Sequence, residues 1–561
     1  MGKPLTTRAA AIESVTRLTT APVQYGRVDF VVMVNASWTD PCRSSEIMLD
    51  LELTSPSGET IRVPGYYETG ESGSSSTWHV RYAPGKTGPY EGVFVLTTSA
   101  GRQLSDRLTF SVGSSPNKGF LHGSSPWIFR FDNGEAFRGI GENLCWESRT
   151  TDDSPHQKSL NENPRYNYEY MLGQLSSNGG NFFRVWMCPW NLPLEWKHVN
   201  NTHRYQDDPG HFNASAIQKM DALVALAEST DTYFMLTLDS HGSLLEHGWK
   251  QSSYQVDQGG PATDSAEFFT SPAAKAQYRD RLRYLVARWG YSPHLAVWEF
   301  FNEVDNAMYG HKPARIPDDI VSAWHTEMSA YLKALDPYHH LISTSISHRE
   351  VAGLNQIEAI DFNQIHIYKH TESIPSGLRH SLRVNQKPSV IGEFSYEWDW
   401  KKNFNDFDRE MGRDFKQGLW LGLFSPTPVL PMSWWWEYFD QRQFTRYLKP
   451  VRSLHEQMLA AGQGQYVDVD VQWTGSPSVR ALSVRCGETI FILLTNYETV
   501  DGAGHLMVPS ITGEKIIASD FGPETAEMKE FPTTETSPDP LGSISVPAYG
   551  NRILIIRLPA K

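Results

Sequence analysis

Eight short apolar runs recur through the middle of the chain, and their spacing limits the fold more than any other feature. They are FRGIGEN (Phe137–Asn143), NFFRVWM (Asn181–Met187), YFMLTLD (Tyr233–Asp239), LAVWEFF (Leu295–Phe301), HLISTSI (His340–Ile346), FNQIHIY (Phe362–Tyr368), PSVIGEF (Pro388–Phe394) and LPMSWWW (Leu430–Trp436). Each reads as a strand, and several of the gaps hold amphipathic helices. Tyr168, Met171, Leu172 and Leu175 share one helical face before Asn178-Gly179, as do Tyr278, Leu282, Leu285 and Trp289 before Gly290. Strands separated by helices over roughly 300 residues are what a (β/α)8 barrel needs. The spacing therefore predicts a central TIM barrel over residues 126–463.

The flanks have a different texture. VDFVVMVNASW, EIMLDLELTSPSG, TWHVRYAPGKTGPY, GVFVLTTSAG and DRLTFSVG alternate apolar and polar positions between Pro-Gly and Ser-Gly turns, which predicts an antiparallel β-sandwich over residues 1–125. The same texture returns in VRALSVRCGETIFILLTNYE and NRILIIRLPA, which predicts a second sandwich over residues 464–561. A multidomain chain is also what 561 residues imply, because one hydrophobic core does not grow to that size.

Charge and composition exclude several partners. A net charge of -14, with no cluster of Lys and Arg, opposes binding to a phosphate backbone, so no nucleic acid is expected. No run approaches ~18 consecutive apolar residues, so no membrane partner is expected. The start MGKPLTTRAAAIESV lacks the apolar core of a signal peptide, which predicts a soluble protein, either cytoplasmic or exported with its signal absent from this sequence. Cys42, Cys145, Cys188 and Cys486 have no CxxC or metal-ligand spacing and read as small buried hydrophobes. With 18 Trp, 24 Tyr and 26 Phe, the chain can build large cores or flat stacking surfaces, and composition does not choose between them.

The fourth run continues as WEFFNEVDN (Trp298–Asn306), an apolar strand that ends in an amide and an acid. The reacting groups of a barrel sit at the C-terminal ends of its strands. Asn302 and Glu303 end strand four there, and Glu393 of Ile391-Gly392-Glu393-Phe394 ends strand seven. Two acids facing one cleft suit glycosidic cleavage, in which one protonates the leaving group and the other stabilises or attacks the anomeric carbon. Each acid alone reads better as half of a surface ion pair, and it is the joint pattern that favours a site. Strict alternation places Glu299, Phe301 and Glu303 opposite Trp298, Phe300 and Asn302. Asn302 and Glu303 can share the cleft only if the chain bends there, and Glu299 then becomes a buried acid for which Arg184 is a candidate partner.

The chain resembles the glycoside hydrolases of the large (β/α)8 clan that includes the family 5 cellulases and mannanases. The resemblance rests on Asn302-Glu303, His366-Ile367-Tyr368, Glu393 and Trp434-Trp435-Trp436, with Arg184 and His241 where that clan places sugar-binding residues. VPGYYETG and TWHVRYAPGKTGPY resemble the sandwich that precedes such barrels in bacterial candidate glycoside hydrolases. The resemblance implies a retaining enzyme with Glu303 as general acid/base and Glu393 as nucleophile, cleaving β-linked glycosides or polysaccharides by double displacement without a metal or other cofactor. A negative Glu393 nearby is expected to raise the pKa of Glu303, and the two carboxyls are expected roughly 5–5.5 Å apart.

Asn302 could bond the sugar 2-hydroxyl or cap its turn, and Tyr368 could hold the nucleophile or simply pack in the core. Arg184 and His241 could contact sugar, although Arg184 could instead pair with Glu299 or Asp239. Trp434 or Trp436 is expected under the sugar ring, with Trp436 preferred as nearer the strand end; Trp186, Trp190 and Trp196 are either further platforms or core. His366 completes the expected set. The loops Trp190–Gly210 and Glu246–Ala262 are candidates to wall the cleft.

PGKT at Pro84–Thr87 lacks the first glycine of a phosphate loop, and Gly139-Ile140-Gly141 lacks the third glycine of a dinucleotide fingerprint and reads as a tight first strand. There is no GxSxG and no HExxH. The rival readings are a non-catalytic carbohydrate-binding barrel and a transglycosylase. Homo-oligomerisation stays open.

Overall fold

The computed structural model describes residues 10–308, 316–511, 516–533 and 540–557. Most of the amino-terminal MGKPLTTRAAAIESV segment lies outside these residues. Through the middle of the chain, strands Gly141–Asn143, Phe182–Trp186, Tyr233–Ser240, Leu295–Asn302 and Leu341–Ser343 pair in that order, all in parallel. One residue on, Ser345–Ile346 pairs in parallel with Asn363–Tyr368, which pairs with Ser389–Ser395.

The segment 429–434 closes the circuit. On one side the amides of Met432 and Trp434 donate to the carbonyls of Ile391 (3.1 Å) and Phe394 (3.0 Å). On the other, the amide of Leu430 donates to Gly139 (2.8 Å) and the amide of Asn143 to Ser433 (3.1 Å). Parallel hydrogen bonding thus returns to its start, and the C-terminal strand ends share one mouth.

The ring differs from the expected runs at its two ends. The first run is divided: Ala136–Phe137 pairs antiparallel with Phe129–Phe131, leaving Gly141–Asn143 to join the ring. A Cβ on Gly141 would lie 1.6 Å from the Phe182 carbonyl oxygen, so strands one and two meet backbone to backbone. In the last run, Trp435 adopts a left-handed φ of 69° and Trp436 opens the helix Trp436–Gln441, so the extended segment ends before Trp436.

Arg138 ties this seam together. Its buried guanidinium donates to the carbonyls of Gly422, Leu423, Ser425 and Thr427 (2.7–3.0 Å), on the connection that leads into segment 429–434.

The outer helices follow their sequence signals. Tyr168–Ser177 is capped by Asn167, and Pro272–Trp289 is capped by Ser271 with Pro272 in its first turn. Tyr168, Met171, Leu172 and Leu175 are buried, as are Tyr278, Leu282, Leu285 and Trp289.

Antiparallel sheets flank the ring. In the amino-terminal part, Ala11–Arg17, Val28–Asn35, Ser75–Tyr82 and Tyr66–Gly70 form one sheet, and Thr60–Pro64, Ile47–Thr54, Gly88–Thr98 and Gly101–Leu104 a second, with Leu108–Val112 also on Gly88–Thr98. Phe30 of the first sheet meets Phe94 and Phe110 of the second edge to face, so the two share an apolar interior. Arg288 and Arg283, both on helix Pro272–Trp289, ion-pair with Glu68 and Asp50 (2.6 Å each) and dock this part against the ring.

Among the described residues, the carboxy-terminal strands form antiparallel sheets of six and three. They meet the ring through Arg379 on Asp468 (2.6 Å) and a stack of Trp127 on Tyr466. Among the described residues no helix is long and apolar enough to cross a membrane. All four cysteines are free.

Candidate active site

Arg184 organises the mouth of the ring from below. Fully buried on strand two, it forms a two-pronged pair with Glu299 on strand four (Nε to Oε2 2.7 Å, Nη2 to Oε1 2.8 Å). The Thr237 hydroxyl and the Gln364 amide donate to the same carboxylate, each at 2.6 Å. A buried acid needs this much compensation, and Glu299 has it. The guanidinium also reaches Glu393 Oε1 (2.7 Å) and Asn302 Oδ1 (2.8 Å). Arg184 is fully buried and takes the second of its two expected roles, pairing with Glu299, and it also holds Glu393 and Asn302. With its oxygen committed to Arg184, the Asn302 amide turns its NH2 group toward His241, 3.4 Å away.

Glu303 resolves the alternation problem through its backbone. Strand four ends at Asn302, and Glu303 has a φ of +50°, a left-handed conformation that costs a non-glycine residue on the order of 1–3 kcal/mol. Its amide donates to Ser345 Oγ at 2.9 Å, and Asn306 donates to its Oε2 at 2.8 Å. The turn brings Glu303 to the same cleft as Asn302.

His366 Nδ1 lies between the two acids, 2.8 Å from Glu303 Oε1 and 3.3 Å from Glu393 Oε2. One ligand atom from each of Glu303, His366 and Glu393 lies within 4.8 Å of the others. The Tyr368 hydroxyl donates to Glu393 Oε2 at 2.6 Å. The three groups are close enough to share a cation, but His366 Nδ1 already serves both carboxylates and Arg184 already balances Glu393.

The electrostatics reverse one expectation. Burial would raise the pKa of Glu303, but the His366 hydrogen bond and the nearby His366 and His241 rings outweigh it and bring it down to about 2. The sequence expectation was a rise driven by Glu393; it overlooked the imidazole between the acids. Burial opposes a charge on His366, yet Glu393 and Glu303 together raise its proton affinity. Burial, and then Glu393, push the Tyr368 phenol well up and keep it a donor.

Above these groups lies a cavity of about 770 Å³, lined by His241, Asn302, Glu303, His366, Tyr368, Glu393, Trp186, Trp434 and Trp436 among others. Trp434 is partly exposed, whereas Trp436 is 3% exposed, so the strand break leaves Trp434 the more open face. Trp190 joins the lining and Trp196 does not. Among the described residues, the two loops proposed to wall this cleft contribute only Trp190 to it; Lys197, Gly210, Ser253 and Gln258 instead line a second cavity of about 1090 Å³ against the amino-terminal sheets.

Sequence reasoning missed Trp146, Arg149, Asn306, Trp398, Trp400 and Glu437, all of which line the cleft. Trp398 and Trp400, in EWDW directly after strand seven, carried a usable signal: tryptophans in a loop at the reactive end of a barrel.

Residues 148–395 match the family described as cellulase, glycosyl hydrolase family 5. This segment is a family 5 glycosyl hydrolase domain. Family 5 membership implies a TIM barrel, to which the parallel ring corresponds. Residues 22–91 match a domain of unknown function, DUF5060.

Among curated proteins, the chain is 23% identical over 207 residues to mannan endo-1,4-beta-mannosidase 4 of Solanum lycopersicum, covering 32% of this chain and 49% of that protein. It is 23% identical over 288 residues to mannan endo-1,4-beta-mannosidase A of Podospora anserina, covering 44% of this chain and 70% of that one. The chain thus spans about half the length of the tomato relative. A solved candidate glycoside hydrolase from Bacteroides vulgatus ATCC 8482 shares the fold across 96% of this chain and 99% of its own, with a TM-score of 0.63 and 14% identity.

Proposed function

We propose that the protein is a retaining glycosidase that cleaves β-linked glycosides or polysaccharides. On this reading a (β/α)8 barrel over residues 126–463 carries the chemistry between β-sandwiches over residues 1–125 and 464–561. Glu393 is the nucleophile and Glu303 the acid/base. The observation that carries the reading is that one oxygen of each carboxylate comes within 4.8 Å of the other, with His366 Nδ1 bridging the pair, which favours the short spacing of retaining enzymes over the roughly 6.5–9.5 Å that leaves room for an attacking water.

In the free site the imidazole of His366 holds the proton that Glu303 needs. As a sugar ring displaces water, the proton passes along the 2.8 Å His366–Glu303 hydrogen bond, and Glu303 delivers it to the leaving oxygen while Glu393 attacks the anomeric carbon. Glycosylation removes the charge of Glu393, and Glu303 then takes a proton from water as that water cleaves the ester. Arg184 and the Tyr368 hydroxyl fix the attacking oxygens throughout. Asn302, His241 and Trp434 hold the ring. The names of the relatives make β-1,4-mannan the first polymer to try.

The test uses aryl β-glycosides and a 2-fluoro analogue that stalls the intermediate. The expected result is an adduct on Glu393, a product of retained configuration, and a fall in kcat of about 10⁴-fold or more for Glu393→Gln. An adduct elsewhere, an inverted product, or unchanged turnover in Glu393→Gln would sink the proposal; the last result would leave a sugar-binding barrel as the better reading.

A further inference from the structure

Three indole N–H groups, those of Trp186, Trp190 and Trp436, are buried without a hydrogen-bond acceptor in the protein, although all three rings line the cleft. Buried indoles normally find an acceptor. Here the three nitrogens are turned away from the open space, so these rings offer the cavity carbon surface rather than donors.

These rings belong to a continuous wall. Trp146 stands at its centre and touches Trp436 (5.0 Å between ring centres), Trp186 (5.4 Å), Trp434 (5.5 Å) and Trp190 (5.6 Å). Arg149 lies over both Trp146 and Trp190 (5.4 and 5.3 Å) and is fastened by Asp152, which is 3% exposed. Rings in mutual edge contact leave no passage between them for a polymer.

The wall stands on one definable side of the reaction. The leaving oxygen must sit at Glu303, whose flank toward Asn306, Ser347 and His348 therefore receives the leaving group. The sugar being transferred extends the other way, over Glu393 toward strands eight, one and two, where the tryptophans stand. The remaining rim is open, with Trp398 51% and Trp400 37% exposed.

The geometry points to a blocked end for the non-reducing side of the cleft: the tryptophan wall packs against the terminal sugar of a neutral β-linked chain and stops it from running further, and the enzyme releases short units of fixed length from chain ends. This inference rests on the glycosidase reading and goes beyond it by assigning chain-end action.

The test uses gluco- and manno-configured aryl β-oligosaccharides of two to four sugars, each with its terminal sugar free or capped by a 4,6-O-ethylidene group. The free series should yield one product length from the first turnovers, and capping should lower kcat/KM by about 100-fold. Trp190→Phe, checked by its melting curve, should reduce that discrimination to about 10-fold or less. Equal cleavage of free and capped substrates, with a ladder of products, would overturn chain-end action and leave the glycosidase reading intact. A wild-type protein that cleaves neither series would overturn both. The capped and free comparison on the wild-type protein needs no variant to fold.

Discussion

Two buried arginines brace two acids each, and only one of the clusters belongs to the cleft. Arg184 holds Glu299 and Glu393; Arg281, on helix Pro272–Trp289, holds Asp239 (3.0 Å) and Glu195 (3.3 Å). Both guanidiniums are fully buried, and both clusters use tyrosine hydroxyls: Tyr368 on Glu393, and Tyr278 and Tyr254 on Asp239 and Glu195. Around Arg281, burial dominates and pushes Asp239 up to about 6 despite the positive charge. At the Arg184 end a histidine joins the acids, and Glu303 goes the opposite way. A paired buried charge makes a brace; an acid that also borders a cavity and shares a proton with an imidazole makes a site.

Replacing each arginine by methionine tests that contrast most severely. Both variants should lose ~3–5 kcal/mol of stability, because each strands buried acids. In the fraction that still folds, Arg184→Met should lose kcat/KM by at least ~100-fold as Glu393 loses its fixed charge partner. Arg281→Met should stay within about twofold, since neither of its acids lines the cleft. Equal losses of activity per folded molecule would erase the distinction.

Removing one hydroxyl is the next step down. Tyr368→Phe should lower kcat by about 10- to 100-fold, the value of a hydrogen bond to a charged acceptor, with little change in melting temperature. A purely structural tyrosine would show the reverse pattern.

The shared proton sharpens the comparison through pH. His366 binds its proton more tightly than the ordinary histidine value of ~6.5, so that proton is present at low pH and lost as pH rises through the raised value. Wild-type kcat/KM should therefore fall on the alkaline side above ~6.5, and His366→Asn should move that limb to the titration of Glu303 alone. A limb unchanged in the variant would assign it to another group.

The smallest effect concerns an acid with no arginine. Burial, helped by Asp440, pushes Glu142 up to about 8, so the folded protein keeps a proton that the unfolded chain releases at ~4.3. Its contribution to stability is present below ~4.3 and is lost as pH rises to about 8. Glu142→Gln should flatten the fall in melting temperature across that window, as read by calorimetry.

The alternation of strands and helices was legible because parallel pairing and helix amphipathicity leave periodic marks. The Glu299 partner was legible because charge counting demands one, and Arg184 was among the few candidates. The direction of the Glu303 pKa was not, since it depends on His366 Nδ1 reaching an acid 63 residues away in the chain. The end of strand eight was misplaced because three identical residues give no signal of where a strand stops; the break is written in the φ of Trp435. The tryptophan wall was hidden for a related reason: Trp146 and Trp190 come from separate loops, and only the closed ring brings them together.

The seam at Arg138 has a consequence for synthesis. Its guanidinium awaits carbonyls up to 289 positions later, and Asn143 awaits Gly392, Met432 and Ser433. A nascent chain carries both glutamates out of the ribosome well before the circuit can be sewn shut. A product truncated before residue 429 would keep the complete acid pair in its sequence and still present an unzipped edge with no cleft to act in.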